Sequence, residues 1–240
     1  MTRKTITKDF KFKQFAIHGG QSGMPVSTDG VLLGAWFQPK HHLRLLDIGC
    51  GTGLLSLMAA QRFPNASITA IDIDAHAIAA AQRNFAASPW HQRFSLIHQD
   101  FLEYDAATPF DAVICNPPYF NHGEQAQLSQ RAIARHTSAL KHADLLDRCR
   151  SMITSTGCAN FILPITEGEA FLRYACESGW YLERRCNVRA TKSKPVSRVL
   201  LSLTLTECAS NTDELIIHRD GQYSQDFINL TADFYLKMTR

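Results

Sequence analysis

No Cys-x-x-Cys pair occurs among the seven cysteines (50, 115, 149, 158, 176, 186 and 208), and an odd number cannot all pair within one chain. That usage argues against a disulfide framework and for reduced thiols in the cytoplasm. The ten histidines lack metal-ligand spacing as well: His41 and His42 are adjacent, and His136 and His142 stand six apart. No metal is expected. Long apolar runs are also missing. The longest near the start, residues 31–37, is broken by Gly34 and is far short of the ~20 residues that span a bilayer. No charged segment with a cleavage pattern marks a signal peptide, so no membrane partner is expected. Repeats and low-complexity tracts are absent, and the net charge is only +3.

What is present is a regular alternation. With 240 residues, 45% of them hydrophobic, the chain can bury a full core, and one α/β domain with a small extension fits better than two independent domains. Strands are predicted at 43–48, 67–72, 94–98, 110–115 and 159–163, separated by helical patterns that include 75–86, 139–152 and 167–178. Such alternation implies a Rossmann-like α/β fold: a mostly parallel sheet with helices on both faces, binding ligands at the C-terminal ends of its strands. Residues 180–188 and 199–206 read as two further strands forming an antiparallel edge. Pro195, in the loop at 189–198 that joins them, argues against continuous pairing there. Phe227, Leu230 and Phe234, at helical spacing, predict a C-terminal helix over the last 18 residues.

The first strand, in LRLLDIGCGTGLLSLMAAQRF, runs into Gly49, Gly51 and Gly53 and then into a helix with apolar Leu54, Leu57 and Met58. This strand, glycine loop, helix unit departs from the dinucleotide fingerprint, because Leu54 occupies the place of that pattern's third glycine. The glycines still permit close backbone approach by a ligand that need not be a phosphate. Asp72 ends the second strand, 25 positions after Asp47, where an acid suits a ribose diol. Asp100 and Phe101 follow the third strand, placed to bond an adenine amino group and to pack against its ring. Asp74 reads as the N-cap of the next helix. Asp47 is either a direct ligand contact or a brace for the glycine loop.

Directly after the strand at 110–115 stands Asn116-Pro117-Pro118-Tyr119. Asn-Pro often opens a turn, but the tetrapeptide also describes a site for methylating a planar amino group. Such an amine is a poor nucleophile, because its lone pair is delocalised into the ring. Holding both N–H bonds, with the Asn116 side-chain oxygen and a main-chain carbonyl, turns the lone pair toward an electrophile. The prolines stiffen the turn and contribute no competing N–H. Tyr119 offers a flat face for a base.

The combination of D-I-G-C-G-T-G, Asp72, Asp100 and N-P-P-Y resembles the class I S-adenosylmethionine-dependent methyltransferases of the N-P-P-Y amino-methylating group. FKFKQFAIHGGQSGMPVSTDGVLLGAWF near the start and YSQDFINLTADFYLKM near the end narrow the likeness to bacterial tRNA adenine-N6 methyltransferases, which act on adenine-37 beside the anticodon of valine tRNA. The resemblance implies S-adenosyl-L-methionine as cofactor and the tRNA anticodon loop as partner, with no DNA. It places Asn116 next to the cofactor, and Thr28 and Asp29 in a segment that closes over it; those two also read as a helix start. Residues 1–37 then form a basic N-terminal extension with the cofactor-closing helix, and 38–240 the methyltransferase domain with its C-terminal helix. A monomer is favoured.

Positive charge is unevenly spread. Arg3, Lys4, Lys8, Lys11 and Lys13 face one acid, Asp9, while Arg184, Arg185, Arg189, Lys192, Lys194 and Arg198 lie in a stretch without Asp or Glu. Either run is an ordinary solvated face or, on a base-methylating scaffold, a set of phosphate contacts. The polar stretch between Tyr119 and Leu140 reads as a surface loop or a substrate lid, with Arg131 and Arg135 able to pair with phosphates. His136 is not needed as a base, since the amine proton can leave after the new bond forms. Other readings of the tetrapeptide are glutamine-amide methylation of a release factor, guanine-N2 methylation of ribosomal RNA, DNA adenine methylation, and a non-catalytic RNA-binding protein of the same fold.

Overall fold

The computed structural model describes residues 7–22, 24–39, 44–117 and 142–239. A short hairpin, β1 (Phe10–Lys11) and β2 (Ala16–Ile17), precedes helix α1 (Thr28–Trp36). Strands and helices then alternate: β3 (Arg44–Ile48), α2 (Leu54–Arg62), β4 (Ser67–Asp72), α3 (Ala75–Ala86), β5 (Phe94–His98), β6 (Phe110–Cys115), α4 (His142–Met152), β7 (Ile153–Pro164) and α5 (Ile165–Glu177). The chain finishes with β8 (Tyr181–Thr191), β9 (Val196–Thr204), β10 (Asn211–Arg219), β11 (Gln222–Tyr223) and α6 (Gln225–Thr231).

Nine strands form one sheet in the order β11-β10-β8-β9-β7-β6-β3-β4-β5. Period-two alternation decides which residues face which helices. Leu45, Ile114, Ile162 and Leu200 meet α1, α2 and α6 through Leu32, Leu33, Leu55 and Phe227. Their neighbours Leu46, Val113, Phe161 and Leu201 meet α4 and α5 through Leu145, Cys149 and Phe171 on the other face. Both faces are thus covered, as the near-continuous apolar strands require.

The edge beyond β7 is larger than the sequence pattern indicates. β9 pairs antiparallel with β7 and β8, as expected, but β10 adds a parallel partner to β8. β10 was missed because its first half, Asn211 to Glu214, is exposed and polar, which reads as a loop. The basic connection is also shorter than 189–198, since Arg189 lies in β8 and Arg198 in β9. The final helix ends at Thr231, yet Phe234 stays buried at 1% exposure.

Lys13 accounts for part of that ending. Its ammonium donates to the carbonyls of Ala232 (2.6 Å) and Met238 (2.8 Å), and its backbone N–H donates to Phe234 O (2.8 Å). Phe12 forms a bridge with Tyr235 beside it. Lys13 was expected at the RNA surface; here it clasps the two ends of the chain, satisfying carbonyls left open past α6.

Among the described residues, no helix is long and apolar enough to cross a membrane, and no three His, Cys, Asp or Glu side chains are grouped to hold a metal ion. All seven cysteines are free thiols.

Candidate active site

The site is assembled where β3, β4 and β6 end. β3 pairs in parallel with β6 so that Ile48 lies opposite Cys115. Gly49 and Asn116 therefore follow the paired ends of adjacent strands. The glycine loop keeps its own N–H groups occupied: those of Gly49 and Cys50 donate to Ile71 O, that of Gly51 to Asp72 Oδ2 (2.8 Å), and that of Gly53 to Cys50 O. A loop whose amides point inward is no phosphate nest. Two glycines differ in what they permit: both have left-handed φ, +65° at Gly49 and +83° at Gly53, but their surroundings are unlike. A Cβ on Gly53, where φ is +83°, would come within 2.4 Å of Phe85 Cε1, whereas a Cβ on Gly49 would meet nothing within 4 Å. Gly53 is fixed by packing, and Gly49 borders open space at the strand tip.

Carboxylates stand at or beneath the strand ends next to that space. Asp47 is fully buried; its Oδ2 accepts from the Ser56 backbone N–H (3.0 Å) and hydroxyl (2.6 Å), while Oδ1 has no partner. Burial pushes the Asp47 carboxyl up to about 7, against the lowering effect of the Ser56 bonds. Asp47 thus braces the start of α2 through one oxygen and leaves the other unmatched. Asp72, at the tip of β4, accepts from Gly51 through Oδ2 and from the Asp74 N–H through Oδ1 (2.9 Å), and burial raises its pKa. Asp74 caps α3 by accepting from the His76 N–H. Asp100 caps the 3-10 turn Phe101–Glu103 by accepting from the Leu102 N–H (2.9 Å). The Phe101 ring is only 5% exposed and belongs to the core with Leu46 and Ile71, so it supports the Asp100 turn from below.

Unmatched acid and inward amides suit a cationic ligand with a polar diol better than an anion. S-adenosylmethionine, with its sulfonium, ammonium and ribose, has that chemistry, and Asp47, Asp72, Asp100 and Gly49 fit it.

Thr28 and Asp29 open α1, whose N-cap Ser27 accepts from the Gly30 N–H. Gly30 packs against Leu54 at the start of α2, so the first turn of α1 adjoins the glycine loop. Asp29 is held by Arg198 of β9, Nε to Oδ2 at 2.8 Å. Asn116 is half-buried and Pro117 buried. Pro118, Tyr119, Arg131, Arg135 and His136 lie outside the described residues.

The basic stretch is corrected by its spatial neighbours. Arg185 pairs with Glu169 of α5, Arg189 with Glu214 of β10 and Arg198 with Asp29, while Arg184 lies over the Trp36 ring at 4.4 Å. Lys192 and Lys194, on the turn between β8 and β9, are exposed and form no ion pair among the described residues; the same holds for Lys8 and Lys11.

Two supporting residues escaped sequence reasoning. Ser56 holds Asp47. Asn84, 1% exposed in α3, accepts from the His18 N–H and donates to His18 O and to Thr52 O, tying the N-terminal segment to the glycine loop. The available signal was an Asn within the apolar stripe of Ala77, Ala81 and Phe85.

Residues 27–146 match the model of the methyltransferase small domain family. A curated relative from Vibrio campbellii, a tRNA1(Val) (adenine(37)-N6)-methyltransferase, is 56% identical over 97% of each chain. Among solved structures, a predicted O-methyltransferase from Agrobacterium tumefaciens superposes with a TM-score of 0.69 at 17% identity, covering 86% of this chain and 96% of that one. The glycopeptide N-methyltransferase MtfA in complex with S-adenosyl-L-methionine gives 0.57 at 12% identity, over 75% and 89%. These two likenesses support the fold, and the full-length identity supports more: the chain belongs to the tRNA1(Val) (adenine(37)-N6)-methyltransferase family.

Proposed function

We propose that this enzyme transfers a methyl group from S-adenosyl-L-methionine to the N6 amine of adenine-37 in valine tRNA, with Asn116-Pro117-Pro118-Tyr119 holding the base. The observation that carries the reading is the pairing of β3 with β6, Ile48 opposite Cys115. It puts the donor loop at Gly49 and the acceptor motif at Asn116 one strand spacing apart, about 5 Å. Full-length identity to curated enzymes of this activity supports the choice of acceptor.

When bound, S-adenosylmethionine supplies a methyl group made electrophilic by its sulfonium. Asp72 holds the ribose diol and Asp100 the adenine amino group of the cofactor. Asp47 offers its unmatched oxygen to the ligand's positive charge, and Thr28 and Asp29 close that side. The Asn116 side-chain oxygen accepts one N6–H of the target adenine and the Pro117 carbonyl the other. The nitrogen lone pair is thereby directed out of the ring plane toward the methyl. Tyr119 stacks on the base. The N–C bond forms as the C–S bond breaks, and the proton leaves nitrogen afterwards, so no side chain acts as a base beforehand. An unpaired loop base is turned out at less cost than one in a duplex.

Lys8, Lys11, Lys192 and Lys194 contact phosphates, joined by Arg131 and Arg135. Arg189 and Arg198, on the strands that flank the Lys192–Lys194 turn, are already paired with acids and position that turn. The free thiols suit a reducing cytoplasm.

The test is parallel methylation of unmodified total tRNA, ribosomal RNA, DNA and release factor with labelled cofactor, followed by nucleoside mass spectrometry. Label in N6-methyladenosine of valine tRNA is expected. Label confined to ribosomal RNA or to protein would overturn the reading.

A further inference from the structure

A cavity of about 260 Å³ opens between α1, the edge strands β8 to β11 and α6. It lies apart from the glycine loop but shares the first turn of α1 with it. Gly30 and Gly34 turn one side of α1 onto Leu54 and Met58 of α2, while Thr28, Asp29 and Leu32 line the cavity on the other side.

Its position follows from strand register. Arg198 of β9 pairs with Pro164, the last residue of β7, and with Val188 of β8. Cys115 of β6 pairs with Phe161, which pairs with Leu201. Arg198 thus lies past the level of Cys115 on the ligand-binding edge of the sheet. It is two strands from β6, a lateral offset of about 10 Å. The turn carrying exposed Lys192 and Lys194 leaves β8 on the same edge.

The lining combines flat rings with a fixed guanidinium. His218 stacks on Tyr223 at 5.0 Å and 24°, Tyr223 on Phe227 at 4.8 Å and 21°, and Phe227 on Tyr235 at 6.4 Å and 28°. Among the described residues His218 stacks on Tyr223 alone, so it is one end of the ladder, and it lines the cavity. In the same lining, Arg198 is oriented by Asp29 at 2.8 Å and by the Ser197 carbonyl at 3.0 Å. A terminal aromatic ring, an oriented guanidinium and nearby ammonium groups are the elements that hold an unpaired nucleotide. They do not suit an aliphatic or acyl ligand, for which a polar floor is a cost.

We propose that this cavity is a second base-binding subsite, which receives an unpaired anticodon-loop nucleotide other than the methylated adenine. The base extends the ladder on His218, the Arg198 guanidinium held by Asp29 supplies positive charge to the same cavity, and Lys192 and Lys194 meet the adjoining phosphates. The proposal rests on the tRNA reading above. It adds that recognition of the loop uses two bases, and that the helix closing the cofactor site also forms a wall of the second subsite.

The test uses the full-length enzyme with synthetic valine anticodon stem-loops, each made abasic at one unpaired position other than the target. KM and Kd for RNA are measured for wild type, His218→Ala and His218→Phe, with cofactor Kd as a control on folding. Loss of one base stack costs between about fivefold and about a hundredfold. His218→Ala is expected to raise RNA KM within that range and to leave cofactor Kd unchanged, while His218→Phe restores KM to within about twofold. One abasic position should weaken binding to wild type yet cost nothing further in His218→Ala. Equal abasic penalties in both proteins at every position, or an unchanged KM in His218→Ala, would overturn the subsite while leaving the methylation reading intact. A wild type that methylates none of the stem-loops nor whole tRNA would overturn that reading and the subsite with it.

Discussion

Replacing Asp47 with Asn removes a charge that the free protein buries without full compensation. Of its two carboxylate oxygens, one accepts from Ser56 twice and the other has no partner, and the carboxyl titrates near 7 instead of 3.8. Between those values the folded state binds a proton that the unfolded chain has released. Stability therefore falls as pH rises from about 4 to about 7, and is flat with respect to this group outside that window. A shift of roughly 3 pH units at 1.36 kcal/mol each amounts to about 4 kcal/mol. In a chain of this size that is roughly 8 to 16 °C in Tm. Asn is neutral at every pH and keeps an oxygen for the Ser56 bonds. Thermal unfolding of wild type and Asp47→Asn in cofactor-free form should coincide near pH 4 and diverge above it, with the variant more stable by about 4 kcal/mol at pH 8. The same variant should bind S-adenosylmethionine more weakly, and lack the gain in affinity expected of wild type as Asp47 ionises. A Tm difference that does not change with pH, or a variant less stable at pH 8, would refute the idea that Asp47 is a strained acid awaiting a cationic ligand.

Asn116→Ala should lower kcat by about 10² or more with cofactor affinity retained, since it removes positioning in the transition state; normal turnover would remove Asn116 from the mechanism. Lys13→Met should cost about 1–2 kcal/mol by opening two charge-assisted bonds to Ala232 and Met238. Its Tm should fall by several degrees while RNA affinity holds, the reverse of what a phosphate contact would give. Changing Lys192 and Lys194 together to Ala should reduce the slope of log K against log salt by about 1.4, if each neutralises one single-strand phosphate. Gly53→Ala should lose cofactor binding and stability together, because Phe85 occupies the space a Cβ needs.

The parts of the fold that sequence reveals are those whose signal is local. The strand at 67–72 and the helix at 75–86 match the observed elements to the residue, because an apolar run, an N-cap Asp74 and an Ala-rich stripe lie side by side in the chain. The glycine loop was legible for the same reason. β10 was not: its exposed half carries Asn211, Thr212, Asp213 and Glu214, and only pairing with β8, far away in sequence, makes it a strand. Phe101 was legible as an apolar residue near the site, but the direction of its ring into the core depends on packing against β3 and β4. Ser56 and Asn84 fell between these cases, each a polar residue in an apolar helix face, marked but not explained until their partners across the loop are known.

Charge is the property a linear reading handles worst. A run of six cations at 184–198 without an acid looks like a phosphate-binding strip, yet Coulomb interactions are set by distance in space. Glu169, Glu214 and Asp29 arrive from α5, β10 and α1 to neutralise three of the arginines. A strand alternates its faces, so most arginines of β8 and β9 are flanked by neighbouring elements, whereas the turn at Lys192 and Lys194 projects beyond them. The available positive charge is thus concentrated at the turn on the ligand-binding edge, instead of spread along the strands. On the function proposed above, such concentration would draw an anionic RNA toward the strand ends where Gly49 and Asn116 lie, while the arginines of the strands are held by their acids. Asp29 links the two regions, because one residue stands in the first turn of the helix beside the glycine loop and orients Arg198 at the strand edge next to the lysine turn.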